Sequence, residues 1–479
     1  MAGLFLLSAF TTCTINSDEV IFYQKDMIFL HILVLAAVCI LGIFLRPKIR
    51  IPHWLNHLWV IWGVLLFGLV FLTQLWPKGD SYLLWNMAEH IAEGNYQDFL
   101  PGGYLYNQPH QIPLAYIFAA LYRIFGDSYI FVCQALNCIF MIGILLLLNK
   151  FYQRLSGEIS GNGFCLVSVF FVPFFLYVTF VYGTIPGLFL ALAACMQLMK
   201  YLETGKFQNA LVCILCITSA KLIKSNYLIF VIGFAVILLY DFIRKVNLRH
   251  LAVTAALIGA VVVSSHAVTS FTEHLTGIKS EGGIPAILFV TMGLQEGPSA
   301  PGWWNGSHDR IFVNSEFDPK EAAKRGEKKL KERLEIMKGD PAYTADFMIK
   351  KISSEWSEPT YESLWIQQNR TSNTQVPGII SSLFFAGGRL SEAYVFFCNL
   401  FQSFLYFFSL LFVIGKWKKA TIPDLLLPVI FIGGFLFHIL WEAKGQYTLP
   451  YCVCLLPMCV WGYGFAVAWI REHKKSVFK

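Results

Sequence analysis

The spacing of the apolar residues constrains this chain more than any other feature. They gather into runs of roughly 15–22 residues, the length that carries a helix across a ~30 Å hydrocarbon core. Spans are predicted near residues 1–15, 27–45, 55–76, 129–149, 163–180, 185–202, 208–222, 226–242, 251–268, 393–415, 424–441 and 448–470. Of the 479 residues, 56% are hydrophobic and 14% are charged, against about 25% charged in ordinary soluble domains. A soluble fold has no means of covering that much apolar surface. The chain therefore reads as an all-α polytopic membrane protein with about 11–12 transmembrane helices, external juxtamembrane helices and a large external loop. Met1–Ile15 is short, lacks a basic flank and makes a poor signal peptide, so it is read as a short or clipped first span.

Charge sets the orientation. With a cytoplasmic N-terminus, the inner loops hold Arg46, Lys48 and Arg50, then Lys150 and Arg154, then Lys206. Arg244, Lys245 and Arg249 follow, then Lys416, Lys418 and Lys419, and finally Arg471, Lys474 and Lys475. Every inner loop is basic, as the positive-inside bias requires. The net charge of +7 thus reads as membrane orientation and gives no reason to expect a nucleic-acid partner. The chain divides into a bundle over 1–267, which includes an external loop at 77–128, an external region over 268–391, and closing helices over 392–479. Localisation to the cell membrane follows, with the polar loops extracytoplasmic. The 12 cysteines fall almost wholly in apolar runs, and 268–391 has none, so no disulfide framework is expected. Cys213 and Cys216 form a C-x-x-C inside a span without a second pair, which suits small core residues better than zinc.

The candidate chemistry lies in the external segments. Asp80 directly follows the third span and has the character of a general base, more so if loops cover it and raise its basicity. Glu89 and Glu93, beside His90, share a helix face suited to a sugar or a cation, or simply to solvent. Tyr82, Trp85, Tyr96, Tyr104 and Tyr106 interleave with these carboxylates. His110 and Gln111 close a Tyr106–Gln111 stretch whose amides and imidazole suit hydroxyls and phosphate oxygens, or capping. An amphipathic surface helix, Ile112–Phe125, follows.

Lys221 and Lys224 sit at an external span end, either snorkelling or facing a lipid phosphate. Val290–Asn305 carries Glu296 and the pair Trp303–Trp304; Ser354–Trp365 carries Glu355, Glu358 and Glu362 among Trp356, Tyr361 and Trp365. Aromatic faces beside carboxylates suit a carbohydrate, or loop packing on the bilayer. The Trp441–Tyr447 loop adds Glu442, Lys444 and Tyr447. Asn305 and Asn369 fit the glycosylation pattern, and Asp318–Lys338 reads as a solvated helix with Asp318 as N-cap. Span interiors hold few ionisable groups beyond His31, His266 and His438, fewer than a proton-coupled pump usually has.

Taken together, several motifs resemble those of the GT-C superfamily of membrane glycosyltransferases, in its protein O-mannosyltransferase-like (family 39) branch. They are the Asp80 to Tyr96 run, Pro109–Gln111 before a surface helix ending at Phe125–Gly126, Tyr182–Gly187, and Trp441–Tyr447. The long loop with M-G-L and G-W-W-N is similar to Gram-positive bacterial forms. The resemblance implies transfer of a sugar from a polyprenyl-phosphate donor to a glycan, lipid or protein acceptor on the external face, with no metal or other cofactor. Asp80 matches the catalytic carboxylate. His110, Lys221, Lys224, Lys444 and Tyr447 are the expected donor-phosphate residues. Glu89, Tyr104, Gln111, Glu296, Trp303 and Glu442 are the expected sugar and acceptor contacts. Ser81 stands where many relatives carry a second acid, and Gln446 where many carry Arg, so a lysine has to meet the phosphate. A lipid-linked sugar flippase, a polysaccharide exporter or a polymerase is the alternative.

Overall fold

The computed structural model describes residues 1–45, 58–157, 162–367 and 376–477. Arg46, Lys48, Arg50 and Asn369 lie outside the described residues, as do the side chains of Lys474 and Lys475. Among the described residues, seven helical stretches are long and apolar enough to cross a membrane. They are Pro109–Ser156, Thr184–Thr204, Ser225–Lys245, Leu248–Thr276, Ser391–Lys416, Ile422–Leu440 and Gly445–His473. Three shorter apolar helices join them: Ile28–Phe44, Leu58–Thr73 and Phe207–Ile223. The chain is an all-α polytopic membrane protein.

The elements run as follows: α1 (Ala2–Phe10), β1 (Thr11–Ile15), β2 (Ile21–Lys25), α2 (Ile28–Leu45), α3 (Leu58–Thr73), α4 (Asp80–Ala92), α5 (Ile112–Phe125) and α6 (Tyr129–Ser156). Then come α7 (Thr184–Thr204), α8 (Phe207–Ile223), α9 (Leu228–Lys245) and α10 (Leu248–Thr276). A polar layer holds α11 (Ala286–Gly293), α12 (Pro319–Gly339) and α13 (Pro341–Trp356). The chain closes with α14 (Ser391–Lys416), α15 (Ile422–Leu440) and α16 (Gly445–Val477).

Two expected spans differ. Met1–Ile15 is not one helix. The nine residues of α1 reach only ~13 Å at 1.5 Å per residue, well short of a crossing. The β-branched run Thr11–Ile15 then pairs antiparallel with Ile21–Lys25, from Thr11↔Lys25 to Ile15↔Ile21. The segment 163–180 is also broken, into Asn162–Ser168, Val172–Leu176 and a 3₁₀ turn at Tyr177–Thr179. Non-helical backbone at membrane depth needs internal hydrogen-bond partners. The α6 amides supply them: Gln134 Nε2 donates to Thr179 O (3.1 Å), and Asn137 Nδ2 donates to Val178 O (3.1 Å) and Phe180 O (3.4 Å). Gln367 Nε2 donates to Leu176 O at 3.1 Å.

The basic helix ends share one face. Arg154, in the last turn of α6, pairs with Glu203 at the end of α7 (2.5 Å). Lys416 at the end of α14 donates to Leu155 O (3.2 Å), and Arg471 of α16 donates to Gly42 O (3.2 Å) and Ile43 O (2.5 Å). Asp80, Lys224 and Lys444 sit at the other ends of the helices. There α5 is separate from α6, divided by Gly126 at φ 56°, and buries Ile112, Leu114, Ala115, Phe118 and Ala119. Its Arg123 donates to Ala92 O at 3.3 Å, closing α5 onto α4.

The polar layer is tied to the helix ends by one buried cation. Lys351 Nζ donates to Gly293 O (2.6 Å), Ile439 O (3.0 Å) and Trp441 O (2.8 Å). Asp318 caps α12 as expected, accepting from Lys320 N (2.8 Å) and Glu321 N (3.4 Å). At Gly293 a Cβ would stand 2.4 Å from both Leu440 O and Trp441 O, and backbone cannot step aside cheaply. Gly293→Ala is therefore expected to destabilise the fold by about 1–3 kcal/mol, read as a lower apparent unfolding midpoint in detergent.

Candidate functional site

Between α3 and α4 the chain must turn sharply. Gly79 takes φ 59° and ψ −135°, and Asp80 becomes the first residue of α4. A carboxylate in a first helical turn is favoured by the helix dipole. Asp80 is exposed into a cavity of about 720 Å³, so the loop cover that would raise its basicity is not what the structure has.

Tyr182 aims that carboxylate. Its hydroxyl donates to Asp80 Oδ2 at 3.0 Å and accepts from Gln111 Nε2 at 2.7 Å. Gln111 is a buried donor, so the hydroxyl proton is directed at Asp80. Tyr182 stands at the end of the broken 162–183 path, just before Gly183 at φ 75°. A Cβ on Gly183 would lie 2.9 Å from Ile223 O, so the glycine lets the end of α8 approach. That approach brings in Lys224. Its Nζ lies 3.7 Å from the Tyr182 ring centroid and 3.4 Å from Tyr182 O. Burial pushes Lys224 down to about 7, against the pull of Asp80.

The short loop between α15 and α16 forms a further part of the wall. Glu442, Lys444 and Tyr447 all line the cavity. Burial raises Glu442 to about 7, opposed by Lys444. Lys444 is held above its ordinary value: burial lowers it, but Glu19, Glu362, Glu442 and Asp80 together outweigh burial. Lys444 Nζ lies 2.6 Å from Glu19 Oε1. Behind this wall Glu362 accepts from Gln446 N at 3.2 Å, and burial raises it to about 8.

The cavity thus brings together Asp80, Tyr104, His110, Gln111, Lys224, Glu442, Lys444 and Tyr447. Four expected residues are elsewhere. Glu89 lies nine residues after Asp80, about 180° round the helix at ~100° per residue, and acts on Tyr122 of α5. Lys221 donates to Ser265 on α10 at 2.6 Å. Glu296 accepts from Tyr343 at 2.5 Å. Trp303 is buried, its Nε1 donating to Ser354 at 2.9 Å, and its neighbour Trp304 lines the cavity instead.

The Ser354–Trp365 stretch is no carbohydrate platform either. Glu355, Glu358, Glu362, Trp356 and Tyr361 are all buried, and Glu358 closes its own turn by accepting from Thr360 N (2.9 Å) and Glu362 N (2.6 Å). Only Trp365 of that stretch reaches the cavity. Asn305 is tied into its loop, donating to Glu296 O at 3.0 Å. Trp304 and Trp365, read from sequence among the candidate carbohydrate faces, also line it; Glu19, Lys78, Tyr182, His308 and Asp309 line it too and were not foreseen as site residues. Tyr182 had a signal in its Y-G-T-I-P-G run; Glu19 had none, because only the hairpin brings it here.

These features define an integral membrane protein with a polar cavity at the helix ends that carry Asp80, Lys224 and Lys444. Residues 105–462 match the model of a family described as conserved hypothetical integral membrane proteins, and the chain belongs to that family. The matched range includes His110, Tyr182, Lys224 and Lys444 and begins after Glu19 and Asp80. No curated protein matches the chain.

Proposed function

We propose that this protein is a membrane glycosyltransferase that moves a sugar from a polyprenyl-phosphate donor to an acceptor hydroxyl on the extracytoplasmic side. Asp80 supports this most directly: an oriented carboxylate open to a cavity that also holds Lys224 and Lys444. The basic helix ends on the opposite face support the extracytoplasmic assignment. The resemblance of the Asp80, Pro109–Gln111 and Trp441–Tyr447 motifs to the GT-C superfamily points the same way.

The chemistry is a single displacement. The acceptor oxygen attacks the anomeric carbon and passes its proton to Asp80. The anomeric carbon–oxygen bond breaks, and its electron pair leaves with the polyprenyl phosphate. One displacement inverts the anomeric centre. Lys224 and Lys444 offset the charge that develops on the departing phosphate, as fixed charges placed in advance do best. Gln111 and His110 offer polar groups to sugar hydroxyls, and Trp304, Trp365 and Tyr447 offer flat faces. The decisive experiment is transfer from a polyprenyl-phosphate hexose by the Asp80→Asn protein; retained turnover removes Asp80 from the mechanism and favours a flippase or exporter.

Donor affinity is expected to fall as pH rises through about 7. Below that value Glu442 is neutral and Lys224 is charged; above it Glu442 is negative and Lys224 is neutral. Both changes make the cavity more hostile to an anion. A phosphodiester probe keeps one charge throughout, so the slope belongs to the protein. Binding measured between about pH 6 and pH 8 is expected to weaken several-fold, and Glu442→Gln to flatten the slope.

A further inference from the structure

We propose that Lys444 and Lys78, grouped at the ring of Trp365, form an oxyanion subsite for a phosphate, and that Glu19 is a tethered carboxylate that fills it until phosphate displaces it. The identity of that phosphate as the donor's rests on the glycosyltransferase reading above.

Two ammonium groups share one indole. Lys78 Nζ is 4.4 Å and Lys444 Nζ 5.6 Å from the Trp365 ring centroid. Like charges gathered in this way need an anion nearby. Glu19 supplies it: its Oε1 is 2.6 Å from Lys444 Nζ, and its charge also acts on Lys78. The carboxylate thus takes the place on Lys444 that a phosphate oxygen would take, with Lys78 within reach of its charge.

Glu19 is carried in a way that suits exchange. It stands at the tip of the β1–β2 hairpin, in the left-handed region at φ 62°, where non-glycine residues are uncommon. The bonds at the tip are mostly local. Asn16 Oδ1 accepts from Asp18 N and from Val20 N, both at 2.9 Å. The base of the hairpin is fixed to the body by Asn399, whose Nδ2 donates to Thr12 Oγ1 (2.8 Å), and the ladder is tied again just before the tip, where Ile21 N donates to Ser299 O (3.1 Å). A held base with a locally folded tip can swing one side chain without disturbing the bundle.

Charge balance favours exchange over addition. The cavity already holds Asp80, Glu442 and Asp309 besides Glu19. A phosphodiester added on top would crowd one more negative charge among them. Replacing the Glu19 carboxylate by a phosphodiester leaves the total unchanged. After transfer the departing polyprenyl phosphate carries more charge, and the returning carboxylate competes with it for Lys444, which hastens release.

The test uses the full chain in detergent, with farnesyl phosphate as probe and farnesol as its uncharged control. Glu19→Gln is expected to tighten farnesyl phosphate binding roughly tenfold, the factor for a subsite that is open about a tenth of the time. Lys444→Gln in that background is expected to abolish the gain, and Lys78→Gln to weaken binding several-fold. In the unaltered chain, saturating farnesyl phosphate is expected to speed amide exchange at residues 16–20, and farnesol to leave it unchanged. Equal or weaker binding by a folded Glu19→Gln protein overturns the proposal. So does an exchange rate at 16–20 that stays constant or falls, or that rises equally with farnesol; this readout needs no variant to fold. Tip release in a chain that transfers no sugar would sink the transferase reading alone. Asp80-dependent transfer with an unresponsive tip would sink the Glu19 exchange alone.

Discussion

Asp80→Asn is expected to slow sugar transfer by about 10²–10⁴-fold, the usual contribution of a positioned general base. Asn keeps the shape and still accepts the Tyr182 hydrogen bond, so α4 should start where it does now. What it loses is the ability to take a proton. The loss therefore belongs in turnover, with donor binding nearly intact, because Lys224 and Lys444 remain. Tyr182→Phe offers the graded comparison. It removes the donor that aims the carboxylate and leaves Gln111 Nε2 without its partner. Its expected loss is smaller, roughly tenfold, and should lie in turnover. If Asp80→Asn weakened donor binding and spared the rate, Asp80 would be a binding group and the displacement scheme would fail.

Lys351→Met is expected to destabilise the protein by about 3–5 kcal/mol, the range for removing one partner of a buried charged network. Lys351 has no exposed surface and donates to three carbonyls from two segments, Gly293 at the end of α11 and Ile439 and Trp441 at the end of α15. Met fills most of the volume but offers no donor, so the buried Gly293 carbonyl and the half-buried Ile439 and Trp441 carbonyls lose theirs, and the nearby Glu355 loses its cation. Lys350 is the matched control. It is exposed and its ammonium pairs with Asp346 on its own helix, so Lys350→Met should cost under ~0.5 kcal/mol. Apparent unfolding midpoints in detergent compare the two, and similar midpoints would show that the carbonyl ties contribute little.

The helices were legible because membrane spans announce themselves by composition alone. Leu58–Thr73 carries no ionisable residue, and no tertiary fact is needed to recognise it. The broken 163–180 segment was not legible, since apolar content cannot distinguish a straight helix from a buried irregular path. Its partners, Gln134, Asn137 and Gln367, lie tens to hundreds of residues away. The hairpin was missed for a related reason: Thr11–Ile15 is too short to oppose its apolar context.

At the site, position relative to a span end found Asp80, Lys224 and Lys444, because those ends fix depth. Pairing by i, i+4 misplaced Glu89, because spacing within a helix says nothing about which side faces a cavity. Trp303 and Trp304 show the same limit at single-residue scale. Glu19 and Lys78 needed the hairpin and the Trp365 turn to be seen at all.

The irregular 162–183 path has a consequence for how damage to this protein would be interpreted. Tyr182 is aimed by backbone that no helical ladder holds, and the amides of Gln134 and Asn137 are what keep that backbone in register. A screen for inactive variants would therefore flag two buried residues of α6 that do not line the cavity. They would resemble losses of Asp80 in the assay, yet each would leave that carboxylate in place and merely point it the wrong way.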